Sequence, residues 1–191
     1  MIYTFAETNP IEKSYEAFKD RLTLETFKTK VDVLGKKKWD FVRASLLYLQ
    51  ALKCKDCDPN VAMMLLCSCA DAMQLVGRKK PHRNFNKFYL DYCPCTLRSP
   101  PIDFYLVGKS PSRQKASFKE ALEYIYENFR CLYVHEGIGQ LKSPPRGVHL
   151  LGNELIDKLE KTSKKCYIID LVKVPNWFAE ITNKSLYKIL P

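Results

Sequence analysis

The sequence predicts an all-α fold, a helical bundle with a short C-terminal strand and a closing helix. Three observations predict it. Along otherwise charged stretches, apolar residues recur every three to five positions, the pattern of helices that each bury one face. One central stretch, Val61 to Val76, is apolar on nearly all sides behind an Asp58-Pro59 start, as a helix surrounded by others would be. With 46% hydrophobic residues, 12% aromatic residues and only 7 glycines in 191 positions, the chain has the composition of a packed globule and not of a disordered segment. That length suits one core with a small addition, so residues 1–165 are expected as the helical domain and 166–191 as a strand and helix packed on it.

From Glu12 to Leu34, Tyr15, Phe18, Leu22, Phe27 and Val31 form one helical stripe, which Gly35 terminates. After Lys36, Lys37 and Lys38, the residues Trp39, Val42, Leu46, Leu47 and Leu49 continue the period to about Leu52 and complete a helical hairpin. The central helix follows, capped by Asp58 and reaching Gly77. A basic connector from Arg78 to Arg83 leads to about two helical turns from Phe85 to Tyr92. Pro94, Pro100 and Pro101 then break regular helix, making residues 93–111 the longest irregular connection and a candidate functional loop. Ser112 opens a helix striped by Phe118, Leu122, Ile125, Tyr126 and Phe129, which Gly137 and Gly139 stop. Beyond Pro144 and Pro145 a helix runs from Leu151 to Thr162. The β-branched run Tyr167 to Val174 reads as a strand, and Trp177 to Ile189 as the closing helix.

Lys and Arg outnumber Asp and Glu by 31 to 21, a net charge of +10 whose field attracts polyanions such as nucleic acid. A membrane-spanning apolar run and a basic-then-apolar leader are both missing from the sequence, which predicts a cytoplasmic protein without membrane association. In that compartment the eight cysteines are expected as free thiols or metal ligands, with disulfides the minority case.

The segment richest in chemistry is Asn128-Phe129-Arg130-Cys131-Leu132-Tyr133-Val134-His135-Glu136-Gly137. A guanidinium is a permanent forked donor suited to phosphate oxygens, and an imidazole exchanges protons near neutral pH. Together they supply the two roles that phosphodiester cleavage needs. On an ideal helix Arg130 and His135 stand about 140° apart, so they face one site only if the helix ends or distorts between them. In the structural alternative, Arg130 pairs with a neighbour such as Glu127 and His135 caps the last carbonyls.

An all-α chain with Asp71 in its central helix and Arg-Cys-Leu-Tyr-Val-His-Glu-Gly after an aromatic helix resembles the HEPN superfamily, and especially its Apea-like branch, marked by an Arg-x4-His motif. The similarity covers roughly residues 40–165, and segment 126–137 carries its specificity. Cys131 after the Arg, and Glu136 between the His and Gly137, depart from the usual pattern. The resemblance implies a homodimer in which two motifs meet in a composite cleft for RNA cleavage without a catalytic metal. It makes Arg130 and His135 the catalytic pair, with Asp71, Asn128 and Glu136 in support. His135 would take the ribose 2′-hydroxyl proton while Arg130 steadies the charge on the phosphorane oxygens. The products would be a 2′,3′-cyclic phosphate and a 5′-hydroxyl. The rival reading is a non-catalytic RNA- or nucleotide-binding dimerisation module with an antitoxin or defence partner.

Cys54-Lys55-Asp56-Cys57 and Cys93-Pro94-Cys95 form a second constellation, since two such pairs can grip one tetrahedral zinc. Four protein ligands would make that zinc structural; free cysteines are the alternative. Cys67 and Cys69 read as core packing. The basic runs at 36–38, 78–83, 109–115 and 161–165 either track an RNA backbone or form solvated faces. His82 and His149, without ligand-like spacing, read as surface residues.

Overall fold

The computed structural model describes residues 9–76, 85–106, 112–131, 147–150 and 166–191. Its elements in chain order are α1 (Pro10–Tyr15), α2 (Leu24–Val33), α3 (Lys38–Cys54), α4 (Pro59–Val76), α5 (Phe85–Tyr92), β1 (Ile102–Leu106), β2 (Ser112–Lys115), α6 (Phe118–Ile125), β3 (Gly147–Leu150), β4 (Cys166–Asp170) and α7 (Lys173–Ile189). Helix dominates, as the periodicity predicts. None of the described helices is long and apolar enough to cross a membrane.

The expected first helix is broken in two. Asn9 caps α1 by accepting from the Ile11 N–H at 3.0 Å, and the chain then turns, with the Tyr15 hydroxyl donating to the Leu22 carbonyl at 2.9 Å. Thr23 restarts the helix by accepting from the Thr26 N–H at 3.2 Å. Phe18 falls in the turn yet stays buried, stacked on Phe27 at 5.3 Å and on Phe41 at 5.7 Å. Burying each of these rings contributes roughly 1.5–3 kcal/mol. Gly35 ends α2 at φ +57°, a left-handed conformation that costs other residues about 1 kcal/mol, and a short 3₁₀ turn leads into α3.

Helices α3 and α4 form a hairpin at the centre of the bundle, joined by the short turn 55–58. As predicted, Asp58 caps α4, its carboxylate accepting from the Val61 N–H at 3.1 Å. The buried face of α3 is Phe41, Val42, Ala44, Ser45, Tyr48 and Ala51, and Trp39, expected inside, is 58% exposed. The closing helix α7 packs against α3, α4 and α5. Phe178 meets Phe85 and Tyr89 at 6.2 and 5.3 Å, and the Tyr89 hydroxyl shares a 3.0 Å hydrogen bond with that of Thr182.

A four-stranded sheet in the order β2-β1-β4-β3 goes beyond the single strand expected. β1 pairs antiparallel with β2 and β4, and β3 runs parallel to β4. β1 lies in the connection expected to be irregular; two prolines stand directly before it, where they remove no ladder donor. β2 occupies the positions expected to open a helix, because the true cap is Ser117, which accepts from the Glu120 N–H at 3.3 Å while Glu120 accepts from the Ser117 N–H at 2.9 Å. The last strand also stops short of Val174. Asp170 accepts from the N–H groups of Val172 and Lys173 at 2.9 and 3.0 Å and turns the chain into α7. The expected helix from Leu151 to Thr162 lies outside the described residues.

Candidate functional site

The capping box fixes the start of α6, and Phe118, Leu122, Ile125 and Phe129 face the core as a continuous stripe. At Tyr126 the helix changes hand-hold: Tyr126–Cys131 form a π turn, with hydrogen bonds reaching five residues back. Asn128 lies within this turn. Its buried side-chain amide donates to the Tyr124 carbonyl at 2.9 Å, the acceptor that the Asn128 backbone would use in an α-helix. This distortion precedes and includes Arg130; the stretch from 132 to His135, where a break is expected, lies outside the described residues.

Arg130 is held from two sides. Its Nε donates to Asp71 Oδ2 at 3.1 Å, and its guanidinium carbon lies 5.4 Å from the centre of the Tyr126 ring, itself packed on Phe85 at 5.3 Å. Asp71 rides on α4 between the buried Ala70 and Ala72, so the cation is oriented by a helix packed into the core. The two side chains are 22% and 37% exposed, which limits the pair to about 1 kcal/mol of stability. The cation–ring contact contributes a similar amount. The arrangement therefore does more for direction than for stability: an in-line carboxylate at Nε fixes the plane of the fork that would meet a phosphate. Glu127, the sequence-local partner, is exposed.

Of the predicted site residues, Asp71 and Arg130 come together across 59 positions, and Asn128 serves the backbone of the turn that carries Arg130. His135 and Glu136 lie outside the described residues, as do His82 and the runs 78–83 and 161–165. Spacing on the helix could have found Tyr126, four positions before Arg130 and so on the same face.

The two cysteine pairs approach the same end of α7. Lys55, between Cys54 and Cys57, donates to Asn176 at 2.7 Å, and Trp177 donates to the carbonyl of Leu97, two residues after Cys95, at 2.9 Å. Neighbouring helix positions point about 100° apart, however, so the pairs meet different faces of α7. Among the described residues, no group of three or more potential ligands forms. Burial pushes the Cys93 thiol up to about 11, and its Sγ donates to the Pro94 carbonyl at 3.4 Å. Cys57 and Cys95 are exposed, while Cys67 and Cys69 are core residues as expected.

Set against protein-family models, curated proteins and solved structures, the chain matches none of them.

Proposed function

We propose that this protein is an RNA-binding, metal-independent endoribonuclease of HEPN type that acts as a homodimer. The observation that carries the reading is the Asp71–Arg130 pair, which fixes a guanidinium on a π turn five positions before His135. In this mechanism His135 accepts the proton of a ribose 2′-hydroxyl. The 2′-oxygen bonds to the adjacent phosphorus and Arg130 neutralises the equatorial oxygens. The bond to the 5′-oxygen then breaks and that oxygen takes up a proton from water, while His135 returns its proton to solvent, leaving a 2′,3′-cyclic phosphate and a 5′-hydroxyl. A net charge of +10 favours the encounter with a polyanion.

The test is cleavage of mixed-sequence RNA in excess chelator by the native protein, Arg130→Ala and His135→Ala. The reading expects products from the native chain alone, with both variants reduced at least about a hundredfold, the usual weight of a general base or an oxyanion partner. If all three proteins bind RNA and none cuts it, the non-catalytic module with an antitoxin or defence partner takes its place.

A further inference from the structure

The outer face of α3 has a composition that neither the core nor the Arg130 site explains. Trp39, Arg43 and Leu46 share that face at helical spacing, and with Pro10, Val42 and Leu47 they line an open apolar groove of about 390 Å³. Trp39 is 58% exposed, and the Lys38 ammonium sits 5.4 Å from its ring centre. Gly35, in its left-handed conformation, turns the chain so that Lys36 and Lys37 stand just before this face. Lys38 and Arg43 thus flank one exposed indole, with Lys36 and Lys37 just before it in the chain, against the acids Asp32, which pairs with Lys38 at 2.9 Å, and Asp40.

We propose that this groove is a second RNA-contact site, in which Trp39 stacks on an unpaired base and Lys36, Lys37 and Arg43 contact the flanking phosphates. An exposed aromatic ring inside a positive field is the combination that single strands use: the ring takes the base face and the cations follow the backbone. Charge selects this occupant. A second copy docked through the same face would set one cationic patch against another. The placement also suits a strand that continues to the cleavage site, because in the α3–α4 hairpin the start of α3 lies at the same end as the second half of α4, which carries Asp71. RNA as the ligand comes from the reading above, but contact at Trp39 does not require cleavage.

The experiment therefore uses a 2′-O-methyl oligouridine of about twelve nucleotides, which the full chain can bind but not cut. Fluorescence anisotropy is measured for the native protein, Trp39→Ala, Trp39→Phe and the double variant Lys36→Gln/Arg43→Gln. Trp39→Ala is expected to bind about tenfold more weakly and Trp39→Phe to recover most of the loss. The double variant should lower the salt dependence of log K by about 1.4, about 0.7 for each lost phosphate contact on a single strand. In a Trp177→Phe chain, where Trp39 is the remaining tryptophan of 2, bound oligonucleotide should quench the fluorescence. Unchanged affinity in Trp39→Ala with no quenching overturns the proposal. So does equal binding of an oligoglutamate, which would assign the groove to an acidic protein, or a Trp39→Ala chain that loses its dimer but keeps its RNA affinity. Absence of RNA cleavage by the native protein, with its oligonucleotide binding intact, overturns the nuclease reading and leaves this one standing.

Discussion

Asp71 Oδ2 lies 3.1 Å from Arg130 Nε, joining the central helix to the π turn through two side chains 59 positions apart in the chain. The contact is half-exposed, so its weight is in orientation, and its removal separates positioning from folding.

Asp71→Asn keeps the shape of the side chain and removes its charge. Stability to urea should fall by no more than about 1 kcal/mol. The RNA cleavage rate should drop at least about tenfold, because the guanidinium loses its fixed plane. Measuring both on one preparation checks the assignment; an unchanged rate would make the pair structural only.

Asn128→Ala deletes the amide that occupies the Tyr124 carbonyl. A cost of about 1 kcal/mol is expected for the lost hydrogen bond. The segment should relax toward α-helical hydrogen bonding, which amide exchange across residues 126–131 would report. Cleavage falls with it, since Arg130 turns away from Asp71.

Much of this architecture was legible in the residues. Gly35 as a stop, Asp58 as a cap and the stripe from Phe118 to Phe129 follow from local backbone chemistry, and each stands where expected. The sheet did not announce itself. β2 is Ser112-Arg113-Gln114-Lys115, an edge strand with three exposed positions and no apolar alternation, and β1 gains its strand character from partners 6 to 67 positions away, such as Ser112 for Leu106 and Ile169 for Ile102. A usable signal was missed at Ser117-Phe118-Lys119-Glu120, a capping box that places the helix start five residues beyond Ser112. Trp39 misled for a physical reason: spacing marks an apolar face but cannot say which end of that face the neighbouring helices cover, and Trp39 is 58% exposed. The Asp71–Arg130 pairing depends on how α4 packs against the π turn, which no local spacing encodes.

Phe178→Ala should be among the most damaging core changes. The ring links α7 to Phe85 and Tyr89 of α5 and to Trp177, and it is fully buried. A loss of about 3–5 kcal/mol is expected in denaturant titration.

Alkaline pH should unfold the protein by a defined route. Burial holds the Cys69 thiol and the Tyr89 hydroxyl protonated, above their ordinary values of 9.0 and 10.0, and pushes Cys93 to about 11. In the unfolded chain these groups ionise at the ordinary values, so their contribution is complete below pH 9.0 and is lost as pH rises. Each ionising group adds a slope of about 1.4 kcal/mol per pH unit until its folded-state value is reached. Melting temperatures measured through this range should be level at first and then fall, and Tyr89→Phe should flatten the part above pH 10.0.

One measurement bears most directly on the nuclease reading: end-group mass analysis of RNA carrying a single 2′-deoxy nucleotide, incubated with the native protein in excess chelator. The account predicts 2′,3′-cyclic phosphate and 5′-hydroxyl ends at ordinary positions and an intact bond after the 2′-deoxy nucleotide. Cutting at that bond, 3′-hydroxyl products or no cleavage of any RNA would contradict it.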